Sequence, residues 1–385
     1  MKTDIARQLD GYVDVAREIV VARKYGSDFT QDRGTFGDAV GRLHPRRVRL
    51  QVSTVVAETP STRTLRLVPV DGRLPPFQAG QYITLFLDID GVRTARPYSL
   101  SSPPSQTAYW DITVRRVPDG LVSNHLLDHT AQGTRLESSG PSGTFVFNPV
   151  IHPPALVCIA GGSGITPFMS MIREVVTREL PRHITLIYGN RSLDDVIFHE
   201  ELARLAGASP RLDYVPVIEQ APDGYTGRRG LIDEALIRDA AGDISDKVFF
   251  LCGPQGLYDH VRPQLEAMGI PRRRLRREMY GAPDNIWAHP GWPAEVGRDA
   301  RFTVTLGGGR TVAAPAALPL IKSLELSGER IPSLCRSGEC SLCRVKLLSG
   351  RVFQPAGVPV RSSDRRFGYI HACMSYPLSD LELLL

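Results

Sequence analysis

Four cysteines carry the most specific chemistry in this 385-residue sequence. Cys335, Cys340 and Cys343 lie on one short stretch and Cys373 near the C-terminal end, in the spacing C-x4-C-x2-C-x29-C. Three thiolates on one loop can wrap a compact inorganic core while a later segment delivers the fourth, and this is the spacing that holds a [2Fe–2S] cluster. Gly338 permits a tight turn around the sulfurs, and Ser337 and Ser341 leave room for peptide N–H groups to point at them. Structural zinc sites usually pair two C-x2-C knuckles, and this stretch offers one. The four cysteines are therefore expected to be ligands to iron, in preference to zinc or a disulfide. Such a cluster takes one electron at a time, so the rest of the chain is expected to supply electrons.

The elements that must present these cysteines are short. Residues 301–306 and 310–313 read as a hairpin through Gly307, Gly308 and Gly309, and residues 318–327 as a helix with Pro319 in its first turn, where a missing N–H costs nothing. With C-R-x-G-x-C-x-x-C at Cys335 to Cys343, this part of the chain resembles the plant-type ferredoxins. The resemblance implies a β-grasp fold carrying a one-electron carrier.

Composition bounds the remainder. Hydrophobic residues make up 42% and charged residues 23%, the balance of a soluble globular protein, and the length allows two or three domains. No apolar run reaches the roughly eighteen residues of a membrane span, and Met1-Lys2-Thr3-Asp4 leads into no signal-peptide core. A cytoplasmic protein is expected. Cys158 and Cys252 sit in apolar runs and suggest no disulfide framework, which fits a reducing compartment. The net charge is +5, with its densest source at Arg272, Arg273, Arg274, Arg276 and Arg277. This run reads as a solvated face, less readily as a docking surface for an acidic redox partner, and not as a nucleic-acid site, because no aromatic interleaving accompanies it.

Residues 1–45 form an extension in which Tyr12, Val13, Ala16, Ile19 and Val20 fall at helical spacing, predicting an amphipathic helix with no assigned chemistry. From Arg47 the period changes to two. Residues 48–56, 64–70, 82–89, 96–101 and 110–117 read as strands of an antiparallel barrel. Within it, alternation puts Arg96, Tyr98 and Leu100 on one face of a strand and Ser99 on the other. The turn Asp119-Gly120-Leu121-Val122-Ser123 leads into a helix with Ser123 as its expected N-cap, where free N–H groups suit a phosphate. Gly140-Pro141-Ser142-Gly143-Thr144-Phe145 follows and is expected to close the barrel.

Arg96-Pro97-Tyr98-Ser99, the Gly120 to Ser123 turn and the G-P-x-G-x-F segment, in this order, resemble the flavin domain of the ferredoxin–NADP reductase superfamily. The resemblance implies that Tyr98 lies against the isoalloxazine ring, that Ser99 reaches its N5 region and that Arg96 and Ser123 hold phosphate. Pro97, Gly120 and Val122 count with them as cofactor-binding. The G-x-V-S turn favours FAD over FMN.

From about Ala155 apolar strands alternate with helices. Residues 155–160 are a continuous apolar run of the kind buried on both faces of a parallel sheet. The run enters Gly161-Gly162-Ser163-Gly164-Ile165-Thr166-Pro167, followed by helical residues 168–179. Glycines allow close backbone approach and a helix N-terminus attracts pyrophosphate. In the same superfamily G-G-x-G-I-T-P opens the pyridine-nucleotide domain, and its companion C-G-P stands here as Cys252-Gly253-Pro254. The resemblance implies that Gly161, Gly162, Gly164, Thr166, Cys252, Gly253 and Pro254 border the place where nicotinamide meets flavin, with Tyr98, Ser99 and Cys252 closest to the reaction. Cys252 is then not a nucleophile. Arg191, after the strand at 183–188, is placed to meet a 2′-phosphate, yet the cofactor stays open between NADH and NADPH, with NADH slightly favoured. Tyr280, in Glu278-Met279-Tyr280, is placed near the flavin.

The expected organisation is an N-terminal extension (1–45), an FAD-binding antiparallel β-barrel (46–150), an α/β Rossmann-like NAD(P)-binding domain (151–281), a Pro- and Gly-rich linker (282–298) and a β-grasp [2Fe–2S] ferredoxin domain (299–385). In the linker, Trp287 and Trp292 are expected to pack rather than contact a cofactor. This order resembles the single-chain reductases that serve oxygenases, hydroxylases and demethylases. It implies a route from NAD(P)H through flavin and cluster to a partner protein. Two alternatives stand beside it: a subunit that feeds a non-oxygenase partner, anaerobic or corrinoid-linked, and a redox-sensing or zinc-stabilised adaptor.

Overall fold

A computed structural model of the chain describes residues 47–385 apart from 284, 356 and 357, together with residues 16, 17, 19, 20, 23 and 24. Those six are helical, as the N-terminal periodicity predicts; Tyr12 and Val13 lie outside the described residues. Residues 1–46 and 47–385 form separate compact units, and every predicted site residue falls in the second.

The first sheet contains β1 (Val48–Thr59), β2 (Thr62–Pro69), β3 (Tyr82–Ile89), β4 (Val92–Ser99), β5 (Trp110–Arg115) and β6 (Arg135–Ser138) in the order β4-β3-β6-β1-β2-β5, all antiparallel. A bridge between Leu100 and Ile112 joins its two edges, so the sheet closes into the expected barrel. Alternate residues, among them Leu50, Val52, Leu65, Leu67, Ile83, Leu85, Ile112 and Val114, fill the interior. Strand β4 begins four residues earlier than expected, because Asp90 and Gly91 both take positive φ and make a two-residue hairpin turn. Strand β6 was not predicted; it is four residues long and carries Arg135 and Glu137. Ser142 pairs with Tyr82 through two backbone hydrogen bonds of 2.8 and 2.9 Å, so the Gly140 to Phe145 segment does seal the barrel. Helix α1 (Leu121–His129) covers the core with Val122, Leu126 and Leu127.

The second sheet is parallel: β7 (Ala155–Gly161), β8 (His183–Asn190), β9 (Leu212–Ile218), β10 (Arg228–Arg229), β11 (Val248–Gly253) and β12 (Leu275–Met279), ordered β10-β9-β8-β7-β11-β12. Its central strands are buried on both faces. Leu156, Cys158 and Ala160 enter one core with α2 (Ile165–Thr177), while Val157 and Ile159 enter the other with α4 (Glu234–Ala241) and α5 (Gln255–Ala267). Helix α3 (His199–Ala208) joins the first of these cores through Leu202 and Leu205. Helix α2 starts three residues earlier than expected, since Pro167 is tolerated in a first turn. The sheet order reverses between β7 and β11, and in such sheets ligands bind beyond the carboxyl ends of the strands at that point.

The third sheet, β14-β13-β19-β15-β17, is mixed. It comprises β13 (Arg301–Leu306), β14 (Thr311–Pro315), β15 (Arg344–Ser349), β17 (Tyr369–His371) and β19 (Leu381–Leu384), with a separate pair β16 (Val352–Phe353) and β18 (Tyr376–Pro377). Helix α6 (Leu320–Leu326) packs Leu320, Ile321 and Leu324 into its core, and the short α7 (Ser362–Arg366) precedes β17. This is the β-grasp arrangement. Trp292 stacks edge-on against Phe353 at 5.3 Å and donates from Nε1 to the carbonyl of Val296 at 2.9 Å, a packing role as expected.

Candidate functional site

Strand β4 delivers the R-x-Y-S residues in register with β3: Arg96 opposite Leu85, Tyr98 opposite Ile83 and Ser99 opposite Tyr82. Tyr98 packs against the barrel core, and burial pushes its phenol up. Arg96 donates to Thr94 Oγ1 at 2.7 Å and to the carbonyl of Ala95 at 2.8 Å. Burial, followed by repulsion from Arg336, lowers its guanidinium to about 10. Ser99 is 3% exposed, and its hydroxyl meets that of Tyr280 at 3.0 Å across 181 residues of sequence.

The N-cap expected at Ser123 is instead Gly120. Ser123 is the third residue of α1, where its Oγ accepts from the Val117 N–H at 3.3 Å. A β-carbon on Gly120 would lie 2.5 Å from that oxygen, so the tight turn leaves no space for a capping side chain. The first amide bonded back along the helix is that of Asn124, to Gly120 at 3.1 Å. The N–H groups of Leu121, Val122 and Ser123 therefore precede the helical ladder, which suits an anion.

In the second sheet the two glycine motifs abut. Gly162 has φ +51°, and its carbonyl accepts from the Tyr188 hydroxyl at 2.9 Å. Thr166 is buried, and its Oγ1 donates to the carbonyl of Ser163 at 2.9 Å. Cys252 is fully buried, and burial pushes its thiol well up, so it is a neutral thiol and no nucleophile. Ser99 from the barrel and Tyr280 beyond β12 thus meet, with Cys252 at the end of the adjoining strand β11. Arg191 stays on the exposed turn after β8.

Several neighbours carry no sequence signal of their own. Glu278 is 7% exposed, and burial, followed by Glu339 and Cys335, raises its carboxyl to about 8, leaving it largely neutral at pH 7. Both amide atoms of Asn190 are buried without a hydrogen-bond partner among the described residues, at the carboxyl end of β8. Asp195 binds Ser61 Oγ at 2.7 Å, Thr59 Oγ1 at 3.1 Å and Arg115, and so ties the barrel to the loop after β8. Arg173 and Ser170 of α2 bond the carbonyls of Ser101 and Ser102 at 2.8 and 2.7 Å.

The cysteine loop wraps as its glycine requires. Gly338 has φ +83°, and a β-carbon there would meet Val358 at 2.8 Å and Met374 at 3.1 Å. Cys335, Cys343 and Cys373 are buried and Cys340 is partly exposed. The Cys340 amide donates to Cys335 Sγ at 3.3 Å. The Cys340 side chain lowers the Cys335 thiol and the Cys373 side chain lowers that of Cys343. Three cysteines of one loop and a fourth that follows β17 offer the four thiol donors that a [2Fe–2S] cluster takes. The donor set fits a [2Fe–2S] cluster.

The meeting of Ser99 and Tyr280 beside a barrel that packs on a four-cysteine domain defines a class: iron–sulfur flavoproteins driven by a pyridine nucleotide. Family models agree. An oxidoreductase FAD-binding domain matches residues 48–147, an oxidoreductase NAD-binding domain residues 158–263 and a 2Fe-2S iron-sulfur cluster binding domain residues 304–378. The chain is 30% identical to the glycine betaine monooxygenase reductase subunit of Pseudomonas aeruginosa, over 86% of its own length and 93% of the relative's. It is 31% identical to the ferredoxin reductase component of 3-ketosteroid-9-alpha-monooxygenase from Mycobacterium tuberculosis, over 86% and 94%. Among solved structures it resembles phthalate dioxygenase reductase, with a TM-score of 0.64 and 25% identity over 88% of this chain and 97% of that one. The chain belongs to the family of single-chain flavin and [2Fe–2S] reductases of oxygenase systems. It is an NAD(P)H-dependent oxidoreductase that uses FAD and a [2Fe–2S] cluster to pass electrons to a redox partner. No helix among the described residues is long and apolar enough to cross a membrane.

Proposed function

We propose that the chain delivers electrons to a terminal oxygenase and that the reducing nucleotide enters beside Ser99, Cys252 and Tyr280. The observation that carries this reading is the hydroxyl pair of Ser99 and Tyr280, 3.0 Å apart, because it joins the barrel to the nucleotide sheet beside the carboxyl ends of β11 and β12. Bound FAD supplies the chemistry that joins a two-electron donor to a one-electron acceptor. The protein's own residues do the positioning. Tyr98 and Ser99 orient the flavin from β4, and Arg96 with the free amides of α1 at Val122 and Ser123 holds its phosphates, with Pro97 and Gly120 setting the backbone. Gly161, Gly162, Gly164, Thr166, Gly253 and Pro254 shape the nucleotide crevice, and Arg191 stands at its ribose end. The buried, neutral Cys252 excludes water there without adding charge. Cys335, Cys340, Cys343 and Cys373 ligate the cluster. The free, uncrosslinked cysteines support placement in a reducing cytoplasm.

The test is reconstitution. The purified reductase, titrated anaerobically first with NADH and then NADPH, should bleach both flavin and cluster bands with one nucleotide. It should then support NAD(P)H- and O2-dependent hydroxylation by a co-purified oxygenase. An acceptor that turns over equally well without O2 would place the chain with a non-oxygenase partner.

A further inference from the structure

Arg336, the neighbour of the first cluster cysteine, sits in a buried charge network that crosses from the ferredoxin fold to the flavin barrel. It is 7% exposed and forms an ion pair with Glu325 of α6, which is 5% exposed. The pair is not closed on itself. Thr94 Oγ1, on β4, donates to Glu325 Oε2 at 3.3 Å and accepts from Arg336 Nη2 at 3.2 Å and from Arg96 Nη1 at 2.7 Å. One strand over, Thr84 Oγ1 on β3 donates to the carbonyl of Leu334 at 3.3 Å. Residues 334 and 336, on either side of Cys335, are therefore both tied to threonine hydroxyls of the barrel, and β4 is the strand that carries Tyr98 and Ser99.

The stoichiometry at Thr94 is restrictive. A hydroxyl has one proton to donate and two lone pairs to accept with, and here all three are used, on a carboxylate and two guanidinium groups. A buried ion pair is in itself weak evidence for stability, because desolvation offsets most of its attraction. What this one does is specify position, since Thr94 reaches both Glu325 and Arg336 only when Cys335 lies over β3 and β4.

We infer that Thr94, Glu325 and Arg336 clamp the Cys335 loop onto the flavin strand, making Thr94 and Glu325 positioning residues for electron transfer from flavin to cluster. The inference rests on the assignment of flavin to β4 and of the cluster to the four cysteines. The clamp acts across the gap between the two carriers and leaves the binding of each to other residues.

The experiment uses the holoenzyme with Thr94→Val, which keeps the shape and removes the hydroxyl, and Thr94→Ser, which restores it. With hydrogen bonds to three charged groups lost, two of them in the ferredoxin domain, amide exchange at residues 333–337 should accelerate about tenfold. Flavin-to-cluster transfer in a single-turnover stopped-flow experiment should slow, while NADH-to-ferricyanide turnover, FAD content and the EPR signal of the dithionite-reduced cluster stay as in the native protein. Thr94→Ser should restore both exchange and transfer. Glu325→Gln, which keeps the size of the side chain, should repeat the Thr94→Val pattern and carries the test should Thr94→Val not fold. Unchanged exchange and transfer in the folded variants would overturn the clamp. So would a shifted EPR signal, since the network would then belong to the cluster's own surroundings. A native protein without FAD or without a two-iron signal would overturn the underlying assignment instead.

Discussion

A β-carbon built on Gly164 would stand 2.1 Å from the carbonyl oxygen of Cys252. Gly164 and Cys252 are 88 positions apart in the sequence, yet their backbones touch at the carboxyl ends of β7 and β11. Gly164→Ala must push β11 and the Gly161 turn apart, and overpacking against backbone costs about 1–3 kcal/mol. The expected result is a KM for the reducing nucleotide raised about tenfold or more, with the flavin spectrum unchanged, read by ferricyanide reduction and visible absorption. Loss of flavin together with nucleotide affinity would mean that the turn supports the barrel as well.

Ser99 and Tyr280 make the hydroxyl contact nearest the proposed meeting point of nucleotide and flavin. Ser99→Ala removes one hydrogen bond, worth about 1 kcal/mol. Bleaching of the flavin by NADH in stopped flow should slow about fivefold, with nucleotide affinity nearly unchanged. A change confined to affinity would make Ser99 a binding residue only.

Cys340 is the partly exposed member of the four cysteines and donates its amide to Cys335. Cys340→Ser should abolish NADH-dependent cytochrome c reduction and leave ferricyanide reduction largely intact, because ferricyanide can take electrons directly from the flavin. Equal loss of both activities would indicate that the cluster holds the fold together.

His152 lies between the rings of Phe147 and Phe250, at 5.6 Å from each, and its Nδ1 accepts from the Asn148 amide at 3.1 Å. Burial, reinforced by Arg276, lowers it from the ordinary value of 6.5. The unfolded chain therefore binds a proton as pH falls through 6.5 while the folded chain resists it, so stability is lost on acidification below that value. His152→Gln should flatten the fall in Tm between pH 7 and pH 5. The difference in slope should not exceed about 1.4 kcal/mol per pH unit, the limit for one group. Parallel curves for native and variant proteins would rule His152 out as the source.

The motifs were readable because each is a local demand on the backbone. Gly162 and Gly338 need positive φ, Gly164 needs close approach, and β7 and β11 read as unbroken apolar runs because both faces are buried. Ser123 misled as an N-cap because the preference for serine is statistical, whereas the Val117 to Gly120 turn leaves room only for glycine. Strand β6 was missed because Arg135-Leu136-Glu137-Ser138 offers one apolar residue and is held mainly by its pairing with β1 and β3. Asn190 sat unnoticed inside the G-N-R-S turn, since nothing in that tetrapeptide tells a buried amide from an exposed one.

The sequence by itself determined the three chemistries and their order along the chain, through short runs whose residue types meet the needs of flavin, nucleotide and iron. Only the tertiary structure decided how the three are joined. Thr94 and Glu325 are 231 residues apart, Thr94 and Arg336 242, and Ser99 and Tyr280 181. Contacts of that range follow from how whole sheets pack, and a hydroxyl becomes the centre of a buried charge network only when another domain brings its charges to it.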